Sequence, residues 1–157
     1  MRRAKLWILG VVVVVTMLLA ACGAPKVEWT LTVDGAVTTP LSLSYADLAD
    51  REQVDLTDVL MQKSLGEDET ASWSGVPLED ILAEAGAGEF ASVTATAADG
   101  YAIEITRDEL KGGIVALKKD DTWITKAEPD KGPIRLVCPE TPANRWVFQV
   151  QTITVNP

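Results

Sequence analysis

Trp73-Ser74-Gly75-Val76-Pro77-Leu78-Glu79-Asp80-Ile81-Leu82-Ala83-Glu84-Ala85-Gly86 is the stretch whose reading decides the fold. Proline suits a first helical turn, because its ring presets φ and the N–H it lacks has no partner there. Glu79 and Asp80 follow where the helix dipole favours negative charge. Leu78, Ile81, Leu82 and Ala85 fall on one face and Gly86 supplies the stop, so the spacing predicts a helix over 78–85.

Downstream of that helix the apolar period shortens from helical to alternating. Val93 to Ala97 and Tyr101 to Ile105 read as strands around Asp99-Gly100, a strong hairpin turn. Thr106 and Glu109 form a capping box, which predicts a short helix to Leu110 closed by Gly112-Gly113. Ile114 to Leu117 is a brief buried strand, and Asp120-Asp121 and Glu128 to Lys131 are turn-like. Ile134 to Cys138 is another strand, with Ile134, Leu136 and Cys138 sharing a face. The last strand sets Trp146, Phe148 and Val150 on one side and then switches to Ile153 and Val155. A one-residue bulge near Gln151 explains the switch.

Upstream, Ser64 to Ser72 is acidic and uneven, as in an exposed loop. Val54 to Leu60 fits strand or helix equally. Ser44 and Asp47 cap a short helix through Leu48. Val27 to Val33 alternates perfectly, a half-buried strand with Trp29 inward, and Asp34-Gly35 ends it as a turn. The sum is an α+β fold, mostly strands with about three short helices and no internal repeat.

Several landmarks in order resemble the oxidoreductase molybdopterin-binding domain, the sulfite-oxidase-like fold. They are Trp73-Ser74-Gly75-Val76-Pro77-Leu78 before a helix ending in Ala85-Gly86, and Asp99-Gly100-Tyr101 opening a strand. Gly132-Pro133-Ile134-Arg135-Leu136-Val137 and Pro139 follow, then Arg145-Trp146-Val147 and Ile153-Thr154-Val155. The resemblance implies a cofactor cleft and, in catalytic members, a cysteine that ligates molybdenum from the strand before the Trp-x-Gly-Val motif. The corresponding stretch here, Val54-Asp55-Leu56-Thr57-Asp58-Val59, has no cysteine, and Asp58 lies near the expected place. Catalytic members also bring histidine and arginine to the pterin phosphate. This chain has no histidine, and after residue 21 its arginines are Arg51, Arg107, Arg135 and Arg145, with no Lys/Arg-rich pocket in evidence to receive an anionic pterin. The fold carries across better than the reaction, and no cofactor is expected except through the resemblance.

Each candidate residue has two readings. Asp58 could replace the thiolate as an oxygen ligand or be a solvated strand-end residue, an unpaired inner carboxylate being costly. Cys138 could be a redox or metal thiolate, but its phase with Ile134 and Leu136 favours a small core residue. Arg135 could line the cleft or pair with a surface acid. Trp73 and Tyr101 could border the cleft or anchor packing. Glu67-Asp68-Glu69 lacks the alternating oxygen spacing of a calcium loop. The absence of histidine excludes a Ser-His-Asp triad, a Cys-His pair and an imidazole metal ligand.

The beginning of the chain reads as delivery. Arg2, Arg3 and Lys5 precede an almost wholly apolar run from Leu6 to Leu19. As a helix that run reaches about 21 Å, short of the roughly 30 Å hydrocarbon core, so a permanent span is the weaker reading. Leu19-Ala20-Ala21-Cys22 resembles the lipobox of bacterial lipoproteins, which implies removal of residues 1–21 and acylation at Cys22. Two or more acyl chains give lasting attachment where one does not. Residues 22–26 are then a tether of some 15 Å, and residues 27–157 one domain. The expected location is extracytoplasmic, on the cell membrane or outer membrane. The expected partners are the membrane through the anchor, and a small ligand or an envelope protein.

Charge supports that picture. Residues 1–21 hold three of the 14 basic residues and no acidic one, which leaves 11 against 23 and a net charge of −12. So acidic a domain is a poor nucleic-acid partner and is repelled by anionic headgroups. With Cys22 acylated, Cys138 has no partner for a disulfide within the chain. The leading expectation is a non-catalytic ligand-binding or accessory module; the rivals are an active molybdopterin oxidoreductase with an atypical site and a structural envelope lipoprotein. The Arg2-Arg3 pair lacks the rest of a twin-arginine export pattern, which favours the cofactor-free reading.

Overall fold

The computed structural model describes residues 23–127 and 131–157. The apolar run from Leu6 to Leu19, Cys22 and residues 128–130, where a turn is expected, lie outside the described residues. The elements run β1 (Thr30–Gly35), β2 (Leu41–Ser44), α1 (Tyr45–Ala49), β3 (Val54–Met61), β4 (Glu69–Pro77), α2 (Leu78–Glu84), β5 (Ser92–Ala97) and β6 (Ala102–Thr106). Then come β7 (Ile114–Lys119), β8 (Thr122–Trp123), α3 (Ile124–Ala127), β9 (Arg135–Val137), a 3-10 turn (Ala143–Arg145), β10 (Val147–Phe148) and β11 (Val150–Asn156). One sheet has the order β2-β1-β11-β5-β6; the other has β10-β9-β7-β4-β3, with β8 paired to β7. The fold is α+β and mostly strand, as expected.

One buried cluster joins both sheets and α2. Leu31, Val33 and Ile153 enter it from the first sheet, Trp73, Val76 and Val115 from the second, and Leu78 and Ile81 from the helix. The Trp73–Gly86 stretch thus feeds a central strand and the helix that covers it. Gly75 is required in β4 by close approach: a Cβ there would run into the carbonyl oxygen of Val115 on β7. At that point the β4–β7 register shifts, between Ser74 and Gly75. The glycine lets the two strands meet without displacing either.

Two of the three helix expectations hold. The Ser44 hydroxyl accepts the Asp47 N–H at 3.1 Å, and Asp47 accepts the Ser44 N–H at 2.8 Å, a complete capping box on α1. In α2 the residues Leu78, Ile81 and Leu82 are buried, and the chain turns out at Gly86 with φ +71°. Val27 to Val33 alternates in exposure as expected, although its paired part starts at Thr30 and runs on through Asp34-Gly35. Gly35 has φ +86°, and a Cβ on it would strike the Val155 carbonyl.

Other expectations need correction. Thr106 and Glu109 make their box, with the Thr106 N–H donating to Glu109 Oε2 at 2.8 Å, yet no helix follows. One helical bond closes, Leu110 N–H to Thr106 O at 3.1 Å, and Gly112 and Gly113 then end the turn before it can propagate. The third short helix is α3 instead. Ser64 to Ser72 is a loop only in its first half; from Glu69 the chain is β4, because Ala71 buries and pairs with Val59 of β3. Val54 to Met61 resolves as strand. The last strand is divided at Gln149, whose φ is +51°. β10 pairs with β9 in one sheet, while β11 runs parallel to β1 and antiparallel to β5 in the other. The expected bulge is there: Val150 faces Ala97 and Thr152 faces Thr96, which leaves Gln151 extra.

Candidate functional site

Arg135 opens β9, a strand buried on both faces: its three residues Arg135, Leu136 and Val137 are all buried. A guanidinium in such a place needs something other than water around it. Its Cζ lies 3.7 Å from the centroid of the Phe148 ring and 4.6 Å from that of Trp73. Desolvated cation–π contacts of this kind contribute about 2 kcal/mol or more. Trp73 is itself held edge-on against Trp146, with ring centroids 5.8 Å apart. The strand partners explain the placement, since β10 lies beside β9 and sets Phe148 opposite Arg135.

Arg135 and Phe148 form the floor of a cavity of about 290 Å³. Met61, Lys63, Ser64, Glu69, Lys131, Ala143 and Asn144 complete the wall. In a chain of net charge −9 this wall carries three cations, Lys63, Lys131 and Arg135, against the one carboxylate of Glu69 among the described residues. Lys63 Nζ sits 2.8 Å from Glu69 Oε2, and Lys119 Nζ, from β7, sits 2.6 Å from Oε1. Hydrogen bonds from Lys119 and then Lys63 hold the Glu69 carboxyl down to about 2. Lys131 Nζ stands 5.4 Å from the Phe148 ring centroid and Lys119 Nζ 5.6 Å from that of Trp73. Chemically, the cavity offers two ammonium groups, a fixed guanidinium and an amide to a small anion.

The expected site residues divide. Trp73 and Arg135 come together at this cavity, Trp73 as the buried ring behind the guanidinium. Asp58 lies elsewhere, on a different hollow of about 440 Å³ that it lines with Val59, Leu60, Pro139 and Glu140. It sits at the irregularity of β3, between Leu56 and Val59, with φ +52°, and its N–H donates to Ser72 Oγ at 3.3 Å. Tyr101 follows the β5–β6 turn in the other sheet, half exposed, with its N–H on Asp99 Oδ1 at 2.9 Å. It lines neither cavity. Cys22 lies outside the described residues.

Cys138 is a core residue. It is fully buried, lines neither cavity, and its carbonyl accepts from Trp146 Nε1 at 2.8 Å and Thr141 Oγ1 at 2.9 Å. Burial first, and then the Glu109 charge, push its thiol up to about 12. A thiol so placed is neutral and inaccessible. No group of three or more Asp, Glu or Cys side chains with metal-binding placement occurs among the described residues.

Lys63, Glu69, Lys131, Asn144 and Phe148 were not legible as site residues. Phe148 was visible only as an inward strand residue, and the lysines are scattered singly along the chain. The basic wall has no counterpart in a local run of charge; the second sheet and its loops bring it together.

The model for the oxidoreductase molybdopterin-binding domain matches residues 21–157. The chain belongs to that family. Among solved structures, the sulfane dehydrogenase SoxCD from Paracoccus pantotrophus is similar, with a TM-score of 0.70 and 21% identity over 85% of this chain. At that identity the likeness shows the fold. The chain spans 40% of the length of that protein's chain. A search of curated proteins finds no match.

Proposed function

We propose that this protein is a lipid-anchored extracytoplasmic member of the molybdopterin-binding family that has lost the molybdenum thiolate and works as a non-catalytic ligand-binding or accessory module. The observation that carries the reading is the Arg135 cavity: a cationic wall suited to an anion, with no cysteine among its lining residues. The donor set does not fit a protein-ligated molybdenum. β3, which would present the thiolate, contains none; Asp58 on that strand faces another hollow; and the Cys138 thiol is sealed in the core. Lys63, Lys131 and Asn144 would instead bind and orient a small anion, and Arg135 would fix its position from the floor.

The anchor is supported by the sequence of residues 1–22, in which a basic start and an apolar run end at Leu19-Ala20-Ala21-Cys22. Cleavage before Cys22 and acylation of its sulfur would leave residues 22–26 as a short tether and residues 27–157 as the body. The remaining charge would keep the body off an anionic bilayer while the anchor keeps it near.

Family membership favours a second reading, an active molybdopterin-dependent oxidoreductase with an atypical site. A thermal-shift panel of small oxyanions, carboxylates and metabolites tests the leading one. Stabilisation by an anion, lost on Lys131→Ala, is the expected result. Silence across the panel would leave a structural envelope lipoprotein as the better description.

A further inference from the structure

We propose that the apolar groove between α2 and the turn at residues 106–113 binds a monocarboxylate with a short apolar tail, its head on Arg107. The groove has a volume of about 290 Å³ and shares no lining residue with the Arg135 cavity or the Asp58 hollow. The inference is therefore independent of the reading given to either. Six of the groove's nine lining residues are apolar: Leu78, Leu82, Ala83, Ala87, Phe90 and Leu110. A ligand's tail gains by leaving water against such a surface. Leu78, Leu82 and Leu110 are also core residues, so the floor is fixed, while Ala83 is exposed on α2 and too small to fill the space above it. Backbone bonds close both ends. Leu78 N–H donates to Gly113 O at 2.9 Å at one, and Arg107 N–H donates to Ala91 O at 3.0 Å at the other. At this volume the groove is at the small end of ligand pockets, which suits a tail of a few carbons rather than a long acyl chain.

The two ends differ in charge. Glu79 and Lys111 flank the Leu78–Gly113 end, and Lys111 Nζ is already held by Asp108 Oδ1 at 2.9 Å. That end carries no surplus of positive charge. At the other end Arg107 lies over Phe90, with Cζ 4.9 Å from the ring centroid, and its Nη1 donates to Glu89 Oε2 at 2.7 Å. The Glu89 side chain is 95% exposed and that of Arg107 47%. So exposed a pair contributes little, and the Glu89 carboxylate can turn back into water at small cost. A ligand carboxylate takes over its charge-assisted contact. Only the ligand adds a tail that leaves water, and this difference selects an apolar carboxylate over a small hydrophilic anion. In a chain of net charge −9 the head alone is weakly attracted, so affinity must depend on the tail.

The test is calorimetric titration of the purified protein with octanoate below its micelle concentration, with acetate and octan-1-ol as controls at the same ionic strength. Octanoate is expected to bind at least tenfold more tightly than either control. Arg107→Gln should weaken octanoate about tenfold and leave octanol unchanged. Ala83→Trp, which fills the groove from an exposed helix position, should abolish binding of both, and Lys131→Ala, in the Arg135 cavity, should change neither. No octanoate binding, or acetate bound as tightly as octanoate, would overturn the proposal. Binding lost on Lys131→Ala and kept in Arg107→Gln would also overturn it, by assigning the ligand to the Arg135 cavity. If Ala83→Trp does not fold, the Arg107→Gln comparison decides alone, and equal weakening of octanoate and octanol there overturns the site.

Discussion

Arg135 keeps its charge inside the core by facing two rings, and the identity of the cation matters there. Lysine would retain the charge and lose the flat face that stacks on Phe148 and Trp73. Arg135→Lys should therefore lower stability by about 1–2 kcal/mol in urea denaturation. Unchanged stability would mean that stacking contributes nothing. Glu109 gives a second test at this scale. Arg145 holds it with Nε on Oε1 at 2.9 Å and Nη2 on Oε2 at 2.8 Å, and the Thr106 N–H adds a third bond. Arg145, then Thr106, bring its carboxyl from the ordinary value of 4.5 to about 2. Glu69 behaves alike through Lys119 and Lys63. A carboxyl lowered on folding stabilises fully above its unfolded value and loses that contribution as pH falls through the folded one. The melting temperature should fall between about pH 5 and pH 2, and Glu109→Gln should flatten that slope. At pH 7 the same substitution should cost about 1–2 kcal/mol. An unaltered acid profile would remove this pair from the account.

At the scale of elements, local chemistry and pairing partners decide different things. The Ser44–Asp47 box starts a helix, while the equally complete Thr106–Glu109 box starts only a turn. Both boxes are legible in the sequence; the difference is that glycines follow Leu110 and that Arg145, 36 residues on, claims the Glu109 carboxylate. Glu69 to Ser72 looks like loop by composition but is strand because Glu69, Thr70 and Ala71 pair with Met61, Leu60 and Val59 of β3. Such pairing leaves no periodic signal beforehand. Gly75 is the reverse case, a motif residue whose reason is visible only across the sheet. Gly75→Ala should cost about 1–3 kcal/mol, read as a lower urea midpoint, because β4 and β7 must separate to admit the methyl. A variant as stable as the natural protein would show that the strands are not so close.

For the whole molecule, the order of motifs from Trp73 to Val155 revealed the family and the fold, and the family model confirms both over residues 21–157. The site was half legible. Trp73 and Arg135 belong to recognisable motifs, and they meet. Asp58 and Tyr101 also belong to such motifs, yet β3 turns the first to another hollow and the hairpin carries the second to the other sheet. Lys63, Lys131 and Arg135 stand singly in the sequence, so no run of charge announces the cationic wall. The proposed attachment is tested on the whole chain as well. Cys22→Ala should move the protein from the membrane fraction to the soluble one, while the natural form should partition into detergent. Retention of the variant on the membrane would contradict the anchor. The most direct measurement is the molybdenum content of the mature domain, made in a host that synthesises molybdenum cofactor, exported by a folded-protein route and analysed by elemental mass spectrometry. The account predicts far less than one molybdenum per chain; stoichiometric molybdenum would contradict it.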